Sequence, residues 1–198
     1  MPSEPEVCVA VLAAGQSQRF GDNDKLAQVL QSKMLGLHIC DTIHSVDFAH
    51  RVVITSSTGH PCVKGWRNRG FEIAVNDQAA DGLGTSVALA AGLAATRKAD
   101  ALMILLADMP FVPASHISSL ISTFSSDCHS GVMMSHDGKM DSPPAIFGAA
   151  HFPELAKLSA DKGARRLFKH GMRLTIAPEL LADIDTEAQL KAVRDKVE

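Results

Sequence analysis

The stretch from Val7 to Lys25, VCVAVLAAGQSQRFGDNDK, constrains the fold of this chain more than any other. Its apolar run is too short to span a membrane and about the length of a buried strand. It ends in Ala13, Ala14 and Gly15, then opens into a polar loop with Arg19 inside it and Lys25 at its far end. A strand that delivers small residues and cations at its carboxyl end suits an α/β sheet, where ligands bind at that edge. Small residues let a ligand approach the backbone closely. The two cations suit a polyphosphate.

The rest of the chain repeats the strand-and-helix alternation. Residues 34–46 carry Met34, Leu37, Ile39, Ile43 and Val46 at roughly helical spacing and predict a first crossover helix. Residues 51–55, RVVIT, form a β-branched strand, 63–68 a short helix and 71–75 a third strand. The segment 76–85, NDQAADGLGT, reads as a loop leading to a helix over 86–96 with Thr85 as its N-cap. Residues 101–106, ALMILL, are the most apolar run and the predicted central strand. Pro113 is expected in the first turn of a helix reaching Phe124. Strands are predicted at 132–134 and 173–177, and an edge strand or extended piece at 145–147 behind Pro143 and Pro144. Helices are predicted at 152–158, at 163–170 and after Thr186, an N-cap. The pattern implies a single domain over 1–198, α/β in class, with three layers and a largely parallel sheet.

Composition excludes several function classes. A net charge of −3 lacks the basic excess of a general nucleic-acid binder. The opening MPSEPE lacks a secretory signal, and no membrane span stands out. Cys8, Cys40, Cys62 and Cys128 form no CxxC pair, which favours reduced thiols and a cytoplasmic location over a disulfide framework.

Four groups of residues carry candidate chemistry. The glycine loop matches neither GxGxxG nor a P-loop, because Gln16 and Ser17 follow Gly15 and Lys25 lies four residues past Gly21. It reads either as a plain turn or, with Arg19 and Lys25, as a phosphate site. Asp108, at the end of the predicted central strand, is either a turn aspartate before Pro110 or a carboxylate awaiting a metal ion, since Mg²⁺ takes one or two carboxylates plus phosphate. Asp183 and Asp185 lie two apart; either completes a metal site or both belong to the turn before the last helix. Asn76, Asp77 and Asp81 are solvated turn residues or contacts to a ribose or base. The histidines form no HExxH, which argues against zinc.

Together, LAAGQSQRFGDNDK and LLADMP resemble the MobA-like nucleotidyltransferases, the molybdenum cofactor cytidylyltransferases and guanylyltransferases. NDQAADGLGTSVALAAGL, SPPAIFGAAHFPELAKLSADKGARRLF and DIDTEAQL extend the likeness over nearly the whole chain and bring it closest to the cytidylyltransferase branch. The resemblance implies a Rossmann-like nucleotidyltransferase fold and a Mg²⁺-dependent reaction. It places Leu12, Ala13, Ala14 and Gly15 against the base, and Arg19 and Lys25 on the phosphates. Thr55, Asp77, Asp81 and Gly82 fall among the nucleoside contacts, with Asp108 and Asp185 on the metal. Residues 161–165 would border the pterin acceptor. LAAG and GLGTS look more like users of CTP than of GTP. The chain departs from the family at Ala107, where glycine is common, in LAQVLQSKMLG, which lacks a usual proline, and in DIDTEAQL, where DIDTPEDL is commoner. None of these removes a charged group expected at the site.

The expected activity is transfer of CMP from CTP to the phosphate of molybdopterin, with release of pyrophosphate and Arg19, Lys25 and Asp108 as the catalytic set. GTP as donor, or another phosphorylated acceptor such as a sugar phosphate, is the alternative within the class. From another class, a non-catalytic chaperone would bind nucleotide or cofactor on behalf of a client molybdoenzyme.

Overall fold

The computed structural model describes residues 4–15, 20, 23–127, 131–159 and 171–195. In chain order, strand β1 (Val7–Ala13) leads through a 3-10 turn at Lys25–Ala27 to a small hairpin of β2 (Val29–Leu30) and β3 (Lys33–Met34). Helix α1 (His38–Thr42), β4 (His50–Thr55), α2 (Val63–Asn68) and β5 (Glu72–Val75) follow. Next come α3 (Leu83–Thr96), β6 (Ala101–Leu106) and α4 (Ala114–Asp127). The chain continues as β7 (Val132–His136), β8 (Asp141–Gly148), α5 (Phe152–Leu155), β9 (Met172–Thr175) and α6 (Glu187–Arg194).

The main sheet has seven strands in the order β5-β4-β1-β6-β8-β7-β9. ALMILL therefore occupies the middle position that its apolar character predicts. The β5, β4, β1 and β6 strands run parallel, β8 is antiparallel to both its neighbours, and β9 is parallel to β7. The result is a mostly parallel α/β sheet, as the strand-and-helix alternation predicts.

Alternation along β1 divides the core. Val7, Val9, Val11 and Ala13 face a layer containing Ile39, Trp66, Leu120 and Leu190, from α1, α2, α4 and α6. Cys8, Ala10, Leu12 and Ala14 face Val87, Ala91 and Leu155, from α3 and α5. Burial on both faces explains why β1 and β6 read as continuous apolar runs. Cys8, Cys40 and Cys62 are free thiols, all buried, and Cys128 lies outside the described residues. No described helix is long and apolar enough to cross a membrane.

Four local expectations are corrected. The helix expected over 34–46 is broken: α1 is flanked by 3-10 turns at Leu35–Leu37 and Ile43–Ser45. Trp66, fully buried, donates its indole N–H to the Gly36 carbonyl at 2.8 Å and so diverts an acceptor from a regular helix. A side chain at Gly36 would meet Leu26 at 3.1 Å and Cys62 at 3.3 Å, so the crossing is tight and favours glycine. At the other end Arg51 donates to the Ile43 carbonyl at 3.3 Å and the Val46 carbonyl at 2.7 Å.

The second correction concerns the segment behind Pro143 and Pro144, which is an interior strand, not an edge. Both prolines sit where the register between β7 and β8 jumps from Met134↔Ala145 to Ser135↔Ser142, and β6 pairs only as far as Ala145. Their missing N–H groups cost no ladder bond there. Third, α3 begins at Leu83, with Gly82 rather than Thr85 in the N-cap position. Gly82 has φ of 113°, a conformation glycine adopts without strain. Thr85 is buried in the first turn, where its hydroxyl bonds back to the Gly82 carbonyl at 2.8 Å. Fourth, Pro113 lies one residue before α4, and its carbonyl accepts from His116 at 3.1 Å. The Thr186 cap is as expected: it forms a capping box with Gln189. The helix predicted at 163–170 lies outside the described residues.

Candidate nucleotide site

The four parallel strands carry the predicted site residues to one edge of the sheet. Register aligns Ala13 with Thr55, Thr55 with Val75 and Leu12 with Leu106, so the carboxyl ends of β1, β4, β5 and β6 are level. Beyond the strands the ladder continues through Ala107, whose N–H donates to the Leu12 carbonyl at 3.1 Å, and through Asn76, whose N–H donates to the Thr55 carbonyl at 2.8 Å. Asp108 follows directly. Its carbonyl accepts the Ile184 N–H at 3.0 Å, and this backbone bond brings the tail segment, with Asp185, against the end of β6.

Lys25 closes the group. Its Nζ lies 2.7 Å from Asp108 Oδ2 and 2.9 Å from Asp185 Oδ1. The lysine side chain is only 10% exposed, against 20% for Asp108 and 31% for Asp185. Burial alone would pull the Lys25 ammonium down, but the charges and hydrogen bonds of Asp108 and Asp185 outweigh it and hold it above the ordinary lysine value. Asp108 Oδ1 is buried and has no hydrogen-bond partner among the described residues. A buried carboxylate oxygen left unpaired is costly unless a ligand meets it. Asp183, nearby, is pushed up by desolvation and then by the negative charges of Asp185 and Asp108.

A second tier fixes the lysine. Asp24 caps the 3-10 turn that begins at Lys25, accepting the Leu26 N–H on Oδ1 at 2.9 Å. His60 Nδ1 accepts the Cys62 N–H at 3.1 Å, so its proton sits on Nε2, 2.8 Å from Asp24 Oδ2. Burial pushes His60 below its ordinary value, opposed by the Asp24 charge, and the ring stacks on Trp66 at 4.9 Å. Sequence reasoning missed this pair. Asp24 lies in the opening motif but His60, the H of TGHPC, lies in none, and the two are distant in sequence.

The remaining predicted residues divide clearly. Leu12, Ala13 and Ala14 are buried, while Gly15 is exposed, and a side chain there would meet nothing within 4 Å among the described residues. Thr55 is buried, and its hydroxyl donates to the Ser57 carbonyl at 3.4 Å. Asp77 and Asp81 are exposed along the same edge, with Gly82 beside them. Asn76 is committed to the fold: it donates to the Thr85 and Ser86 hydroxyls, both at 2.9 Å, and so ties the loop to α3. Arg19 and residues 161–165 lie outside the described residues.

A family model described as the MobA-like NTP transferase domain matches residues 9–176. The chain belongs to this family. This MobA-like nucleotidyltransferase is 31% identical over 206 residues to the purine catabolism protein PucB of Bacillus subtilis, covering 96% of this chain and 97% of that one. It is 29% identical over 119 residues to a probable molybdenum cofactor guanylyltransferase of Pyrococcus horikoshii, covering 60% and 57% of the two chains. Among solved structures, Rv0371c of Mycobacterium tuberculosis in complex with manganese superposes with a TM-score of 0.72 at 20% identity, covering 96% of this chain and 98% of that one. At that identity the likeness speaks for the fold.

Proposed function

We propose that this nucleotidyltransferase moves CMP from CTP to the phosphate of molybdopterin, releasing pyrophosphate, in a Mg²⁺-dependent reaction. The observation that carries the reading is the buried cluster in which Lys25 bridges Asp108 and Asp185 while Asp108 Oδ1 has no partner among the described residues. Two carboxylates and no third metal ligand among the described residues leave room for water and phosphate oxygens, the donor set Mg²⁺ prefers. Asp108 and Asp185 would hold the ion, which would supply positive charge to offset that of the phosphates.

The chain's own residues then have three tasks. The end of β1 at Ala13–Gly15, with Asp77, Asp81 and Gly82 along the neighbouring edge, receives the nucleoside, and Thr55, fully buried, supports that edge from beneath. Lys25, and Arg19 from the same loop, bind the triphosphate and neutralise charge building on the leaving pyrophosphate. The acceptor phosphate, ionised near neutral pH, needs no protein base. One of its oxygens attacks the α-phosphorus as the bond to pyrophosphate breaks, so catalysis consists of alignment and charge stabilisation.

CTP as donor is supported by LAAG and GLGTS. GTP is the second reading, favoured by the name of the Pyrococcus horikoshii relative. Pyrophosphate release from CTP, GTP, ATP and UTP, with and without molybdopterin in Mg²⁺, tests both. Acceptor-dependent release fastest with CTP is expected. Fastest release with GTP transfers the assignment to guanylyl transfer, and no acceptor-dependent release from any triphosphate overturns the reading.

A further inference from the structure

Lys25 bridges the two carboxylates proposed to hold the divalent ion. Its single ammonium takes one oxygen from each proposed metal ligand, Asp108 Oδ2 at 2.7 Å and Asp185 Oδ1 at 2.9 Å. An ammonium and a divalent cation repel each other and compete for Asp108 Oδ2 and Asp185 Oδ1, so the lysine weakens metal binding for as long as it stays between them. Their backbones are fixed independently of the lysine: Ile184 bonds to the Asp108 carbonyl at 3.0 Å, and the Thr186 capping box orders the residues after Asp185. The Lys25 backbone is also fixed, by the Asp24 cap beneath it. What can move is the four-carbon stem of the lysine. It leaves two carboxylates only if another anion receives its charge.

We infer that Lys25 acts as an internal counter-ion that keeps Asp108 and Asp185 occupied until a triphosphate draws it away, so that divalent metal and nucleotide bind as a coupled pair. The inference rests on the proposed function for the identity of the anion. Asp108 Oδ1, partnerless among the described residues, gives an incoming ion its first contact while Oδ2 is still on the lysine. By linkage, the factor by which triphosphate tightens metal binding equals the factor by which metal tightens triphosphate binding. The bridge also keeps two adjacent carboxylates from repelling each other in the empty site.

The test is a gain of binding. Mn²⁺ alone is titrated against wild type and Lys25→Met, with the free ion read by electron paramagnetic resonance. Lys25→Gln is the second variant, and circular dichroism verifies that each is folded. The expected result is Mn²⁺ binding about tenfold or more tighter in the variants than in wild type, within the usual range of coupling factors. That gain should be lost in Lys25→Met combined with Asp108→Asn. Equal Mn²⁺ affinity in wild type and both variants overturns the inference and leaves the proposed transfer reaction standing. If Mn²⁺ binds to none of them, with or without CTP or GTP, the metal-dependent reading itself falls, and the inference with it.

Discussion

Two cation–carboxylate clusters sit at the same end of the sheet, and they differ in what they leave unsatisfied. On the parallel side, Lys25, Asp108 and Asp185 are largely buried, and Asp108 keeps an oxygen without a partner among the described residues. On the antiparallel side, Asp141 at the start of β8 accepts His136 at 3.0 Å and Arg173 at 2.7 Å on Oδ1, and Arg173 again at 2.9 Å on Oδ2. Arg173 is 46% exposed. The first cluster stores unspent binding capacity inside the protein. The second is complete: Asp141, 19% exposed, has both oxygens paired, and its guanidinium partner is half in water, where such pairs contribute little. Similar residues at similar places therefore have different uses: one suits a ligand, the other ties β9 to the sheet.

Substitutions can break or sharpen this contrast. After loss of Asp108 itself, the largest effect is expected from Lys25→Met, which should lower the rate of pyrophosphate release by about 10²–10³-fold, the usual cost of losing a group aimed at developing charge. A smaller effect is expected from the caps that hold the cluster's charges in place. Asp24→Ala under Lys25 and Thr186→Ala beside Asp185 should each lower stability by about 0.5–2 kcal/mol in denaturant titrations. Each should also slow turnover, by less than Lys25→Met does. Asp141→Asn should leave turnover close to wild type and lower the thermal midpoint only slightly. A large loss of turnover in Asp141→Asn would erase the distinction between the clusters.

The smallest effect is in pH dependence. The Arg173 hydrogen bond holds Asp141 below its ordinary value of 3.8. A carboxylate depressed in the folded state stabilises the protein above its unfolded value, and that contribution is lost as pH falls through the folded value. The difference in thermal midpoint between wild type and Asp141→Asn should therefore be constant near neutrality and shrink below pH 3.8.

The contrast also shows what was legible in the sequence. The strands β1 and β6 announced themselves because burial on both faces leaves no polar positions, and Asp108 stood out as a charge ending the most apolar run. Thr186 was readable as a cap because capping is local. The helix over 34–46 was misread because its periodicity is real but Trp66, some thirty residues away, takes the Gly36 carbonyl. Pro143 and Pro144 pointed to an edge because a register jump between strands leaves no sequence mark. In the candidate site, Lys25, Asp108 and Asp185 were named individually, while their convergence depends on a tertiary hydrogen bond from Ile184 to Asp108. The Asp24–His60 support was invisible for the same reason. It is built by packing on Trp66 rather than by spacing.

The central claim is that transfer runs at the Lys25–Asp108–Asp185 cluster. Its most direct test is pyrophosphate release by Asp108→Ala and wild type, side by side, with Mg²⁺, molybdopterin and saturating CTP or GTP, and with folding verified by circular dichroism. The expected result is a folded variant with turnover nearly abolished. A folded Asp108→Ala that turns over at a near-normal rate would contradict it.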